Sequence, residues 1–197
     1  YLDGDKTVAT VQMLVDLYKE GQISNGITGN AGAISTSEGL PGNNYATIFD
    51  GPWMNGIWAD QFPDFTPIYA PIPAGDGGSV SVVGGEDIVL TASSKHQEAA
   101  MEFIRFTQSE QFQLALVPTG QLTVIKDLGD KQVELVPYYK VFTDQLATAK
   151  ARLAIPQGSE VDTILNEELV PAFEGTVTVK DALGNAAKRI NELLAEQ

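Results

Sequence analysis

The chain has 197 residues, of which 43% are hydrophobic and 19% are charged, and this composition is typical of one or two globular domains. A formal net charge of −14 argues against nucleic acid and anionic membrane surfaces as partners, because phosphate contacts need clustered lysine and arginine. The chain lacks cysteine, which excludes disulfides and thiol nucleophiles, and its single histidine, His96, has no second histidine with which to share a metal, so we expect no metal and no cofactor.

The first predicted element is an amphipathic helix over residues 5–20, which Gly21 is suited to end. Its apolar residues recur at helical spacing on one stripe: Val8, Val11, Leu14, Val15 and Tyr18. Residues 22–44 are rich in Gly, Ser, Thr and Asn. That composition predicts a surface loop or a polar helix of weak propensity or, as a functional alternative, a lid over a cleft.

A short apolar strand is predicted over residues 46–49, followed by a tight turn at Asp50 and Gly51. Pro52 would begin the next helix, because proline at the first helical position loses no hydrogen bond. Trp53 would then lie in the first helical turn, near the carboxyl end of a strand. In α/β proteins, strand ends and helix N-termini at this edge commonly face a ligand.

Three further strands are predicted over residues 65–70, 80–83 and 87–91. The glycine-rich turn at residues 74–79 lacks the lysine that a phosphate-binding loop needs. The stretch Gly84-Gly85-Glu86-Asp87 leaves the backbone open to close approach and places acidic groups beside it.

The remainder of the chain is predicted to be mostly helical. Ser94 with Gln97 has the spacing of a capping box, and Ser109 is suited to begin a second helix. The first of these helices is expected to bury Ala99, Ala100, Phe103, Ile104 and Phe106. Further helices are predicted over residues 137–150, 159–173 and 178–195, with Ser159 and Thr178 as caps of the last two.

Several strings, in this order, carry a resemblance to a known family: GPW at residues 51–53, PDF at 63–65, VVGGED at 82–87 and SSKHQEAAMEFIRF at 93–106. Together they resemble the extracellular solute-binding proteins of sugar ABC transporters, the maltose-binding-protein-like family. The resemblance runs to the end of the chain. It corresponds to the C-terminal portion of such proteins, with nothing that matches their N-terminal half.

The resemblance implies an α/β fold of the periplasmic-binding-protein-like type II, a two-lobe sandwich of mixed sheets flanked by helices. This chain would be an incomplete fragment dominated by the C-terminal lobe. Residues 1–83 would form the first part of that lobe, with the GPW helix. Residues 84–130 would cross to the N-terminal lobe, and residues 131–197 would form the helical end of the C-terminal lobe.

A sugar-binding site needs a flat aromatic plate and planar groups that hydrogen-bond in pairs, because a pyranose has an apolar face and a rim of hydroxyls. Trp53 is the candidate plate, and in the resembled family the tryptophan of GPW stacks on sugar. The candidate polar partners are Asp50, Gly84, Gly85, Glu86 and Arg152. The alternatives are a core position for Trp53, a solvated turn for Glu86 and a surface ion pair for Arg152.

The resemblance implies the substrate-binding component of an ABC importer, with no enzymatic activity. It would capture a sugar or oligosaccharide in an interlobe cleft and deliver it to a membrane permease. The alternatives are a binding protein for another polar nutrient, such as a peptide or polyol, or a glycoside hydrolase, which needs two opposed carboxylates. Asp162 stands where the resembled family has a second stacking aromatic, which disfavours a long maltodextrin.

The implied location is extracellular, at a bacterial cell surface or in the periplasm, with membrane tethering through the N-terminal half. No apolar run is long enough to span a bilayer, and no signal peptide is recognised. The fragment is expected to associate with a second copy or with the missing N-terminal half, which would cover the apolar face of Val89, Phe103 and Ile104.

Overall fold

A computed structural model describes residues 2–195, which form two units. The first unit contains residues 2–35 and 153–195, and the second contains Thr36–Arg152. The α-helices, in chain order, are α1 (Asp5–Lys19), α2 (Thr36–Gly39), α3 (Met54–Gln61), α4 (Gln97–Thr107), α5 (Glu110–Leu116), α6 (Gly129–Leu135), α7 (Tyr139–Leu146), α8 (Gly158–Phe173) and α9 (Val179–Ala195). Short 3-10 turns lie at Asn25–Thr28, Val117–Thr119 and Lys126–Leu128. Two short strands are β1 (Val82–Val83) and β2 (Lys150–Ala151).

The first unit is a packing of α1, α8 and α9, as their apolar periodicity predicts. Its buried core consists of Val15, Ala172, Phe173, Val179, Ala182 and Leu183. The predicted stripe of α1 packs against this core, and Tyr18 meets Phe173 edge to face at 5.6 Å. Gly21, with φ of 73°, follows the end of α1 as expected.

The second unit is built around a small apolar core and two buried glutamines. The buried apolar residues are Met54, Trp58, Val117, Leu128 and Tyr139. Gln113 donates to the Thr107 carbonyl at 2.8 Å and accepts from Thr123 Oγ1 and the Val124 N–H. Gln132 accepts from the Thr123 N–H at 2.9 Å. The two glutamine side chains therefore fix the segment that follows α5.

Most of the predicted strands are wrong. Residues 46–49, 65–70 and 87–91 are unpaired, and within residues 80–83 only Val82 and Val83 pair, in parallel with Lys150 and Ala151. A strand requires a neighbouring strand, and the described residues supply none for these segments. The predicted helix over residues 137–150 ends at Leu146, because the chain turns there and Lys150 joins β2.

Two of the predicted helix caps are also wrong. Helix α4 begins after His96, and Ser94 Oγ accepts from the His96 N–H instead of capping the helix. Ser159 lies inside α8, whose N-cap is Gln157. The other two caps are confirmed: Ser109 accepts from the Phe112 N–H, and Thr178 accepts from the Asp181 N–H at 3.1 Å.

The apolar face of α4 is more exposed than predicted. Ala99 is exposed, Phe103 is 53% exposed and Phe106 is 45% exposed, whereas Ala100 and Ile104 are half-buried. Phe103 and Phe106 contact Phe112 edge to face, so the helix is held to α5 while one side remains open. Val89 is likewise exposed. Nothing within residues 2–195 covers this face, and its cover stays a prediction.

No helix within residues 2–195 is long and apolar enough to cross a membrane.

Candidate functional site

The site begins at the turn of Asp50 and Gly51, which positions Trp53. Asp50 Oδ1 accepts from the Gly51 N–H at 2.8 Å, and its other oxygen accepts from Thr36 Oγ1 at 3.1 Å. The Met54 N–H then donates to the Gly51 carbonyl. Helix α3 starts at Met54, so the prediction that Pro52 begins the helix is wrong and Trp53 is its N-cap. Asp50 therefore holds the turn through both of its carboxylate oxygens.

The indole of Trp53 is exposed at this turn. The residue is 48% exposed, whereas Gly51, Pro52 and Met54 around it are buried. The six-membered ring lies against Gly51, where a Cβ would come within 2.1 Å of Cη2. Only glycine at position 51 therefore lets the indole adopt this orientation. An exposed, fixed ring is what stacking on a sugar requires, and the stacking role itself stays a proposal.

Gly120 is a part of this site that sequence reasoning missed. Its φ is 93°, and a Cβ there would lie 2.3 Å from the Trp53 Cα. The backbone of residue 120 thus packs directly on the backbone of Trp53. The sequence marks Gly120 only as a helix stop, because the contact joins positions that are far apart in the chain.

Two tyrosines, also missed, support helix α3 from the side. Tyr69 stacks on Tyr138 with ring centroids 4.8 Å apart and donates to Asn55 Oδ1 at 2.8 Å. Burial, with a smaller contribution from Tyr138, raises the pKa of the Tyr69 phenol above its usual range. Tyr69 therefore stays neutral at physiological pH and serves as a hydrogen-bond donor.

The remaining predicted site residues follow the two strands of the small sheet. Gly84, Gly85 and Glu86 follow β1, and Arg152 follows β2. The two strands are parallel, with Val83 opposite Ala151. Gly84 and Arg152 therefore leave the sheet at the same end, where both strands finish. All four are exposed, and a Cβ on either glycine would meet only open space. The structure thus places the backbone of Gly84 beside that of Arg152 where the two strands end.

The predicted site residues form two groups in the second unit. One group is Asp50 with Trp53, and the other is Gly84 to Glu86 with Arg152. No hydrogen bond or ring contact within residues 2–195 joins the two groups. Trp58 belongs to neither: it is buried, donates to the Ser37 carbonyl at 2.9 Å and packs on Phe65.

A cavity of about 490 Å³ lies in the second unit, next to the turn of Asp50 and Gly51. Its walls come from residues 46–51 and 65–73 and from α7, and Asp50 is the one predicted site residue among them. The walls are mostly apolar, with no other charged side chain. Trp53 and residues 84–86 are not among its walls, so we do not assign the sugar to this cavity.

The described residues contain no group of His, Asp or Glu side chains arranged to hold a metal ion. The carboxylates that a glycoside hydrolase would need, Asp50 and Glu86, fall in different groups of the site. Among the predicted site residues, the two carboxylates are therefore not placed together as an opposed pair.

Comparison with known families decides the identity of the chain. Residues 2–114 match the profile of the bacterial extracellular solute-binding proteins. The chain belongs to this family. Comparison with curated proteins gave no significant match.

Solved structures of solute-binding proteins share the fold. The cyclic α-maltosyl-1,6-maltose binding protein from Arthrobacter globiformis aligns with a TM-score of 0.77 at 25% identity, over 100% of this chain and 50% of its own. Maltose-bound MalE3 of T. maritima aligns with a TM-score of 0.75 at 25% identity, over 98% of this chain and 51% of its own. The chain therefore spans about half the length of the solved proteins it matches.

These findings confirm the predicted family and fold class. The chain is part of a periplasmic-binding-protein-like α/β fold, related to solute-binding proteins of the maltose-binding type. The matched family and the solved relatives are binding proteins, and the family is extracellular.

Proposed function

We propose that this solute-binding protein is the sugar-capturing component of an ABC importer. It binds a sugar or oligosaccharide in a cleft that is complete only in the full-length protein and hands it to a membrane permease. The N-terminal half tethers the protein to the membrane at the bacterial surface, or the protein is free in the periplasm. No bond is made or broken in the ligand.

The observation that carries this proposal is the exposed indole of Trp53. Full burial of a large apolar side chain normally contributes about 1.5 to 3 kcal/mol to the free energy of folding. The Trp53 indole lies against a glycine and stays half-exposed, which favours a function for its exposed surface. A sugar ring supplies one, because its C–H face covers the indole while its hydroxyls reach outward. The maltose and maltosyl-maltose ligands of the solved relatives support a carbohydrate in that position.

Polar partners complete the proposed site. Gly84 and Gly85 present backbone groups without side chains, Glu86 accepts hydrogen bonds from hydroxyls, and Arg152 donates a planar pair. Asp50 sets the turn of Trp53 and takes a sugar hydroxyl on a remaining lone pair. In the full-length protein, closure of the other lobe would place a single ligand in contact with both groups of residues.

The test is a titration of the full-length protein with a panel of mono-, di- and oligosaccharides. Tryptophan fluorescence is the readout, and the affinity for each sugar is measured. Trp53→Ala is expected to weaken binding of the tightest sugar about tenfold or more, because stacking adds about 0.5–1.5 kcal/mol beyond the area buried. Ile57→Ala, an exposed residue on the same helix, serves as the matched control and leaves the affinity unchanged.

Chromatography of the ligand after each titration separates binding from hydrolysis. Recovery of intact sugar fits a transport receptor, whereas turnover would identify a glycoside hydrolase. Unchanged affinity in Trp53→Ala would remove the proposed role of the indole.

A further inference from the structure

A buried hydroxyl in α7 holds the turn that packs on Trp53. Tyr139 has no solvent exposure, and its hydroxyl donates to the Val117 carbonyl. Val117 is also fully buried and begins the 3-10 turn that ends at Thr119, so Gly120 follows as the C-cap of that turn. The Gly120 N–H closes the turn on the same carbonyl at 3.3 Å. The Tyr139 hydroxyl and the turn therefore share one acceptor, the Val117 carbonyl oxygen.

The same hydroxyl also meets the other end of the turn. Burial raises the pKa of the Tyr139 phenol above its usual range, Tyr138 raises this pKa further, and a hydrogen bond from the Gly120 backbone acts in the opposite direction. The phenol is therefore neutral at physiological pH and keeps the proton that it donates to Val117. Because the hydroxyl donates at residue 117 and accepts at residue 120, it fixes both ends of the turn at once.

This turn limits where the backbone of Trp53 can lie. A Cβ at residue 120 would come within 2.3 Å of the Trp53 Cα and within 2.9 Å of its N, so the two backbones are in direct contact. Trp53 is the N-cap of α3 and makes no side-chain cap hydrogen bond. Its position therefore depends on the preceding turn and on this packing against Gly120.

We propose that Tyr139 is a positioning residue for the indole of the candidate sugar site. Its hydroxyl holds residues 117–120, and these residues hold the backbone of Trp53 so that the indole keeps the orientation needed for stacking. Tyr139 is buried and contacts no ligand itself. The inference rests on the proposed function for its link to sugar, whereas the link from Tyr139 to Trp53 is measurable without any sugar.

The alternative is that Tyr139 only stabilises the second unit. A buried hydroxyl that donates to a carbonyl contributes to folding wherever it lies. A purely stabilising residue would lower the folded-to-unfolded ratio on substitution without changing the surroundings of the Trp53 indole. Stability and the indole are therefore measured separately.

The first test is fluorine NMR of the full-length protein labelled with fluorotryptophan. The Trp53 signal is the one that is absent from Trp53→Phe, and the Trp58 signal is identified in the same way. Tyr139→Phe keeps the aromatic ring and removes only the hydroxyl, so we expect the Trp53 signal to shift in this variant. Trp58 is buried and packs on Phe65, so its signal is expected to stay in place.

Val15→Ala is the control for a general loss of stability. Val15 is buried in the core of the first unit, and Tyr139 belongs to the second. Both Val15→Ala and Tyr139→Phe are expected to lower the folded-to-unfolded ratio about tenfold, the first through a cavity and the second through a carbonyl without its donor. Only Tyr139→Phe is expected to shift the Trp53 signal.

The second test is a double-mutant cycle on sugar affinity. Tyr139→Phe is expected to weaken binding of the tightest sugar about threefold to tenfold, because the indole stays present but is less well held. In a Trp53→Ala background, the same substitution is expected to have no further effect on affinity. A residue that acts through the indole has nothing to position once the indole is removed.

Two results would overturn the proposal. One is an unshifted Trp53 signal in Tyr139→Phe, which would leave Tyr139 as a core residue alone. The other is an equal loss of affinity from Tyr139→Phe with and without the Trp53 indole. A shifted Trp53 signal combined with unchanged sugar affinity in Trp53→Ala would count against the proposed function and would support the link from Tyr139 to Trp53.

Discussion

At the scale of single residues, the candidate site depends on two glycines that touch Trp53. Gly51 lacks the Cβ that would clash with the indole ring, and Gly120 allows another segment to pack on the backbone of residue 53. Neither glycine is a ligand contact. Both act by fixing where the aromatic plate stands, so their substitution is expected to disturb the site without changing its chemistry.

Gly120→Ala is expected to lower the free energy of unfolding by at least about 1–2 kcal/mol. Its left-handed conformation already carries a penalty of that size for any L side chain, and the added Cβ would also meet the Trp53 backbone. Urea denaturation of the protein measures the change.

Gly56→Ala is the control for that experiment. Gly56 lies in α3 with open space around its Cα, so alanine is expected to raise the free energy of unfolding by about 0.5–1 kcal/mol through helix propensity. Equal effects of the two variants would show that the contact between Gly120 and Trp53 does not constrain the fold.

The sequence could identify Trp53 but not the groups that hold it. Trp53 stands out because it follows a turn signal and precedes a helical pattern, and both signals are local. The support from Gly120, Tyr69 and Tyr138 comes from contacts between distant positions, which a single sequence does not record. Tyr69 in particular looks like any aromatic residue of a predicted strand.

At the scale of elements, the helices were predictable and the strands were not. Helices α1, α5, α8 and α9 follow from periodicity and close their hydrogen bonds within themselves. A strand depends on a partner elsewhere, and the partners of residues 46–49 and 65–70 are absent from the described residues. Before α4, Ser94 Oγ accepts from the His96 N–H instead of capping the helix, and the spacing of Ser94 and Gln97 does not reveal this local alternative.

Gln113→Leu tests how the segment after α5 is held. The buried side chain bonds Thr107, Thr123 and Val124, so leucine would leave buried polar groups without partners. A loss of about 1–3 kcal/mol is expected in the free energy of unfolding. Because this segment follows Gly120, sugar affinity is expected to fall as well.

Gln111→Leu, on the exposed side of the same helix, is the matched control and should change stability by less than about 0.5 kcal/mol. Chemical denaturation of both variants measures the difference. If Gln113→Leu is as stable as Gln111→Leu, the buried glutamine does not anchor the segment.

At the scale of the whole molecule, the chain spans about half the length of the solved proteins it matches. The open face of α4, the unpaired segments around the cavity and the two separated groups of site residues all lie in the second unit. In the proposed full-length protein, the other half would face the site residues and cover the open face of α4. The net charge of −14 keeps such a molecule soluble and disfavours nucleic acid as its partner.

The most direct measurement is a crystal structure of the full-length protein with the sugar that binds tightest in the fluorescence panel. The account predicts a sugar ring face within about 4.0–4.5 Å of the Trp53 indole, with hydroxyls bonded at Gly84 to Glu86 or Arg152. A sugar bound elsewhere, with the indole still open to water, would contradict it.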